Sequence, residues 1–263
     1  MIDNTNKIDS LFRDNTDNKK FLSLYFCAGT PSLSGTADTL MAMQRHGIDM
    51  VEVGIPFSDP LADGPVIQSA ATHALANGMT LRMLFSQLVE VKDEIMMPII
   101  LMGYLNVVMH YGFRRFFDSC RETGVSGVII PDLPFDDYLK DIKPLADEFG
   151  IRVIMMITPE TSDERIRKID DNTSGFIYMV SSASVTGAQQ SFGEAKQEYF
   201  RRINSMHLKN PRMIGFGISN RQTLVSAQEN AAGAIIGSKF VSLLEESKDA
   251  DEALDRLFVE LKK

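Results

Sequence analysis

Ile48-Asp49-Met50-Val51-Glu52-Val53-Gly54-Ile55-Pro56 opens as an apolar run and closes on Gly and Pro. Seven further runs share that build: Phe21–Cys27, Pro98–Gly103, Val125–Pro131, Ile151–Ile157, Gly175–Val180, Arg212–Phe216 and Gly233–Gly237. Each is short and rich in Ile, Val, Met and Phe, the composition of strands buried on both faces. The segments between them carry helical spacing, as in Phe116, Cys120 and Thr123, or Leu139, Ile142, Leu145 and Ala146. Capping residues mark helix starts at Ser162-Asp163 before Ile166 and at Ser219-Asn220 before Leu224. Eight strands alternating with helices predict a (β/α)₈ barrel, a fold of typically about 250 residues. The 263-residue chain fits one such domain over its whole length, 1–263. Ile8–Asn15 is expected as a short helix covering the barrel bottom, and the long second gap as two helices, near Val66–Ala76 and Thr80–Ile95. An open doubly wound sheet competes, but the sequence has no second composition zone and no interdomain linker.

Composition narrows the function. Lys and Arg number 27 against 35 Asp and Glu, a net charge of −8. That balance argues against a nucleic-acid face, which needs clustered cations, yet a small anion can still be held by backbone N–H groups. Cys27 and Cys120 are too few for a disulfide framework and read as buried thiols in a reducing compartment. No apolar run reaches membrane length and the first residues lack a secretory h-region, so the expectation is a cytoplasmic protein.

Barrel active sites lie at the carboxyl ends of the strands. Alternation places Met50 and Glu52 on one face of the second run and Val51 and Val53 on the other. Glu52 is thus a lone carboxylate on an apolar strand. It is either a frayed-end surface residue or a group at the barrel mouth whose burial raises its pKa toward acid/base use. The loop that follows holds Asp59-Pro60 and Asp63-Gly64, both good turn pairs, and the residues alone do not choose between the aspartates. Gly215-Phe216-Gly217-Ile218-Ser219 and Gly237-Ser238 close the seventh and eighth runs, where these barrels commonly cradle phosphate. Ser181 to Gly193 is small-residue-rich and reads as a lid. No run contains Lys, which disfavours a strand-borne Schiff base, and the four scattered histidines disfavour a His-ligated metal.

Glu52-Val53-Gly54-Ile55-Pro56-Phe57-Ser58-Asp59-Pro60-Leu61-Ala62-Asp63-Gly64-Pro65 resembles the signature segment of the tryptophan synthase α-subunit family. Six more stretches resemble it in the same order: Ala28-Gly29-Thr30-Pro31, Met102-Gly103-Tyr104-Leu105-Asn106, Pro131-Asp132-Leu133-Pro134, Val185-Thr186-Gly187, Gly215 to Ser219, and Gly237-Ser238. The resemblance implies a barrel lyase that splits indole-3-glycerol phosphate into indole and glyceraldehyde 3-phosphate. It implies Glu52 and Asp63 as the catalytic pair, Glu52 as general acid/base and Asp63 stabilising the cation at the indole N–H. It also implies a substrate set of Tyr104, Tyr178 and Thr186 with flanking aromatics Phe26 and Phe216, and a phosphate cradle at Gly187, Gly217, Gly237 and Ser238. No cofactor or metal is implied in this chain. Pyridoxal phosphate is expected only in a partner β subunit, which receives indole within an α-β-β-α heterotetramer and is expected to accelerate the α reaction. One departure stands in the lid, where many family members have Arg and Gly and this chain has Ser182 and Ser184. Related phosphate-binding barrels, such as indole-glycerol-phosphate synthase or phosphoribosylanthranilate isomerase, share the cradle but not the Pro-rich second loop. A subunit that chiefly activates its partner, or a stand-alone lyase, remains an alternative.

Overall fold

The computed structural model describes residues 6–181 and 193–262. Its strands are β1 (Phe21–Cys27), β2 (Met50–Gly54), β3 (Ile99–Met102), β4 (Val125–Ile129), β5 (Arg152–Val153), β6 (Met155–Ile157), β7 (Ile177–Val180), β8 (Arg212–Gly215) and β9 (Gly233–Ile236). All pair in parallel, in the order β5-β4-β3-β2-β1-β9-β8-β7-β6. The two ends of that order are separated in sequence by Ile154 alone, so the sheet curls into a barrel with helices outside it.

The expected fifth strand, Ile151–Ile157, is therefore two pieces. Its first half pairs with β4 and its second with β7, while the Ile154 N–H still donates to the Val128 carbonyl at 2.9 Å. Closing a barrel staggers neighbouring strands, and this strand divides its ladder between the two edges it joins. The other seven runs each form one strand where expected, with ends shifted by a few residues.

The N-terminal helix spans Lys7–Arg13, capped by the Asn6 side chain on the Ile8 N–H. Ile8 is fully buried, and a Cβ at Gly127 would meet its Cδ1 at 2.8 Å. Asn6 also donates to the carbonyls of Ser126 and Gly150, and Arg152 pairs with Asp9. The helix thus plugs the amino end of the barrel as expected. The second gap holds helices Pro65–Ala76 and Leu81–Val91. Ser162 and Asn220 cap their helices through their side chains, Asn220 within a reciprocal capping box. Cys27 and Cys120 are buried free thiols. No helix among the described residues is long and apolar enough to cross a membrane.

Candidate active site

A cavity of about 360 Å³ opens at the carboxyl ends of the strands, lined on one side by Tyr25, Glu52, Asp63 and Met102 and on the other by Tyr178, Phe216, Gly217, Gly237 and Ser238. Glu52 points inward, the barrel-mouth alternative of the two the sequence left open. In register it lies between Tyr25 of β1 and Ile100 of β3, with fully buried Met50 two residues below. The carboxyl is only 1% exposed, and Oε1 has no hydrogen-bond partner. Removal from water without a compensating charge pushes its pKa up to about 8. Near neutrality the group is a protonated acid poised to give up its proton.

Burial distinguishes the two loop aspartates. Asp59 is exposed and accepts from its neighbour Ser58 at 2.5 Å. Asp63 is 6% exposed and lines the cavity. The Tyr104 hydroxyl donates to Asp63 Oδ2 at 2.8 Å and accepts from the Ala62 N–H at 3.0 Å. Desolvation raises the Asp63 pKa to about 6, and the Tyr104 bond works against the rise. Asp63 is therefore largely ionised at a pH where Glu52 keeps its proton. Tyr104 does not itself line the cavity. It holds the loop aspartate from the far side, with Phe57 stacked on its ring at 5.2 Å.

The expectation for Phe26 is corrected. Phe26 is fully buried and lies on the other face of β1, and Tyr25 is the aromatic residue that enters the cavity. Tyr25 and Tyr178 owe their places to glycine. A Cβ at Gly54 would overlap the Tyr25 hydroxyl, and a Cβ at Gly215 would overlap the Tyr178 hydroxyl. Each tyrosine thus fills the space above the glycine that ends a neighbouring strand. Burial raises both phenol pKa values well above their usual range, so both stay protonated.

Phe216 sits at φ +69° and Gly217 at φ +77°. The left-handed turn at a bulky residue carries strain. It is held by a hydrogen bond of 2.6 Å from the Ser181 hydroxyl to the Phe216 carbonyl. The turn brings the Phe216 ring edge-on to Tyr178, centroids 6.1 Å apart. Beside this turn, past the end of neighbouring β9, helix Ser238–Glu246 starts at Gly237 with no side chain capping it. Its first N–H groups and its dipole are free to meet an anion. Lys239, missed from sequence because it reads as an ordinary helical residue, also lines the cavity, but its ammonium is paired with Glu260 at 2.5 Å. Thr186, Gly187, Ser182 and Ser184 lie outside the described residues. Among the described residues no cluster of His, Cys, Asp and Glu could hold a metal ion.

Fold and cavity together define the class: a (β/α)₈-barrel enzyme with its cavity at the carboxyl mouth. The chain matches the family model described as Tryptophan synthase alpha chain over residues 11–263. It is 60% identical over 258 residues to the tryptophan synthase alpha chain of Phocaeicola vulgatus, covering 98% of this chain and 99% of that one. The alpha chain of Bacteroides thetaiotaomicron is 56% identical over 252 residues, covering 96% and 98%. The tryptophan synthase subunit alpha of Legionella pneumophila superimposes with a TM-score of 0.86 at 31% identity, covering 98% and 97%. A mutant α-subunit from Pyrococcus furiosus gives 0.83 at 34%, covering 92% and 97%. This chain belongs to the tryptophan synthase alpha chain family, whose members are enzyme subunits of tryptophan biosynthesis.

Proposed function

We propose that the chain cleaves indole-3-glycerol phosphate to indole and glyceraldehyde 3-phosphate, in the cytoplasm, and passes indole to a β subunit that carries pyridoxal phosphate. The observation that carries this reading is the buried, unpartnered Glu52 carboxyl in a cavity that also holds Asp63. Glu52 gives its proton to C3 of the indole ring, which places positive charge on the ring nitrogen. Asp63 accepts the ring N–H and stabilises that charge as it develops. The Glu52 carboxylate then takes the proton from the hydroxyl beside the ring. The C–C bond breaks, its electron pair returns to the ring, and the hydroxyl carbon becomes the aldehyde. One carboxyl serves both transfers because its pKa lies near the working pH. The phosphate orients the substrate from a distance.

The test is a cleavage assay of the purified chain, alone and with the β subunit, across pH. The acid form of Glu52 is lost as pH rises through about 8, and the ionised form of Asp63 is lost as pH falls through about 6. Activity should therefore peak between those values and fall on both sides. Absence of cleavage with the partner present would overturn the assignment.

The cradle makes a second prediction. With Lys239 held by Glu260, the substrate phosphate rests on backbone N–H groups. Glycerol phosphate in a crystal should lie over Gly217, Gly237 and Ser238. An anion seated instead against an Arg–Lys pair elsewhere would refute the cradle.

A further inference from the structure

Glu52 must be ionised between its two proton transfers, and a buried carboxylate without a hydrogen-bond donor is costly. The cavity offers few groups to meet that charge. Asp63 and Glu246 are acidic, and Lys239 is paired with Glu260. Tyr104, beyond the cavity wall, already donates to Asp63. The Cys27 thiol, at the end of β1, is pushed up to about 12 by burial. The lining serines, Ser219, Ser238 and Ser242, stand beyond the ends of β8 and β9, on the side of the anion cradle. Among the strand residues two phenols remain, Tyr25 and Tyr178. Tyr178 stands on β7 and meets Glu52 only across the barrel interior, where the Glu52 charge acts on its phenol. Tyr25 is the direct register partner of Glu52 on the adjacent strand, about 4.8 Å away along the ladder direction. Its ring runs forward over Gly54, which shares Glu52's face of β2, so its hydroxyl lies beside Glu52 on the side toward the barrel mouth.

We propose that Tyr25 is a positioning residue for the lyase reaction, its phenol donating to the Glu52 carboxylate while that group is ionised. The Tyr25 ring is packed in place, whereas the Glu52 carboxyl has an unpartnered oxygen, so the glutamate makes the movement. The hydroxyl favours the charged form only, which keeps the proton affinity of Glu52 low enough for transfer to carbon.

The proposal rests on the lyase reading, and the test separates the two. Tyr25→Phe keeps the ring and its packing and removes only the donor. Expected results are a kcat about ten- to a hundredfold lower, the range for a hydrogen bond to a charged group, with KM nearly unchanged. The alkaline limb of the pH profile should move up by about one unit or more. Infrared titration of the Glu52 carboxyl in both proteins reads the same shift without turnover. If the wild type does not cleave the substrate, the lyase reading fails, and the titration still decides the contact. Equal Glu52 titration in the two proteins, or a rise in KM with an unmoved alkaline limb, would overturn the proposal.

Discussion

Glu52→Gln is expected to lower turnover by about 10²–10⁴-fold, the usual contribution of one general acid/base, and by more because the proposed reaction gives one group both transfers. The fold should survive. At neutral pH the native group is a neutral acid, so the amide replaces it without adding or removing buried charge, and Oε1 lacks a partner in the native protein already. Single-turnover cleavage measures the loss, and glycerol phosphate affinity verifies that the cavity is intact. Unchanged turnover would remove Glu52 from the chemistry.

Asp63→Asn should cost about 10²–10³-fold, as expected for losing one preorganised electrostatic contact to a developing charge. The amide oxygen can still accept from Tyr104, so the loop should keep its place and only the charge is lost. Asp59→Asn is the control. Its carboxylate is exposed and bonded to Ser58, and the variant should turn over like the native chain. A silent Asp63→Asn beside an inactive Asp59→Asn would reverse the assignment.

The sequence was most legible where polarity broke an apolar pattern. Glu52 is the only charged residue inside β2, so alternation separated it from Val51 and Val53, and burial in the structure decided which face turns inward. In β1 the same rule had nothing to act on. Six of its seven residues are buried and apolar side chains stand on both faces, so neither Tyr25 nor Phe26 was marked as the inward residue, and resemblance led to the wrong neighbour. The bond from Tyr104 to Asp63 joins positions 41 residues apart, a pairing no local spacing encodes. The break at Ile154 was hidden for a related reason: Ile151–Ile157 is uniformly apolar, and its division depends on two partner strands rather than on its own composition. Burial likewise separated Asp63 from Asp59, which turn chemistry treats alike.

The helix that closes the amino end of the barrel sets an order of assembly. Asn6 bonds across 120 residues to Ser126 and across 144 to Gly150, and Asp9 reaches 143 residues on to Arg152. The helix Lys7–Arg13 therefore lacks these long-range partners until about 120 to 144 further residues have been made. At synthesis rates of about 5–20 residues per second, that delay is on the order of 10 s. Over that time Ile8 lacks its seat beside Gly127 and Gly175, and a seven-residue helix is too short to hold itself in water. The opening segment of this chain is thus a late arrival in its own fold, a latch that engages only after the strands it fastens have been made.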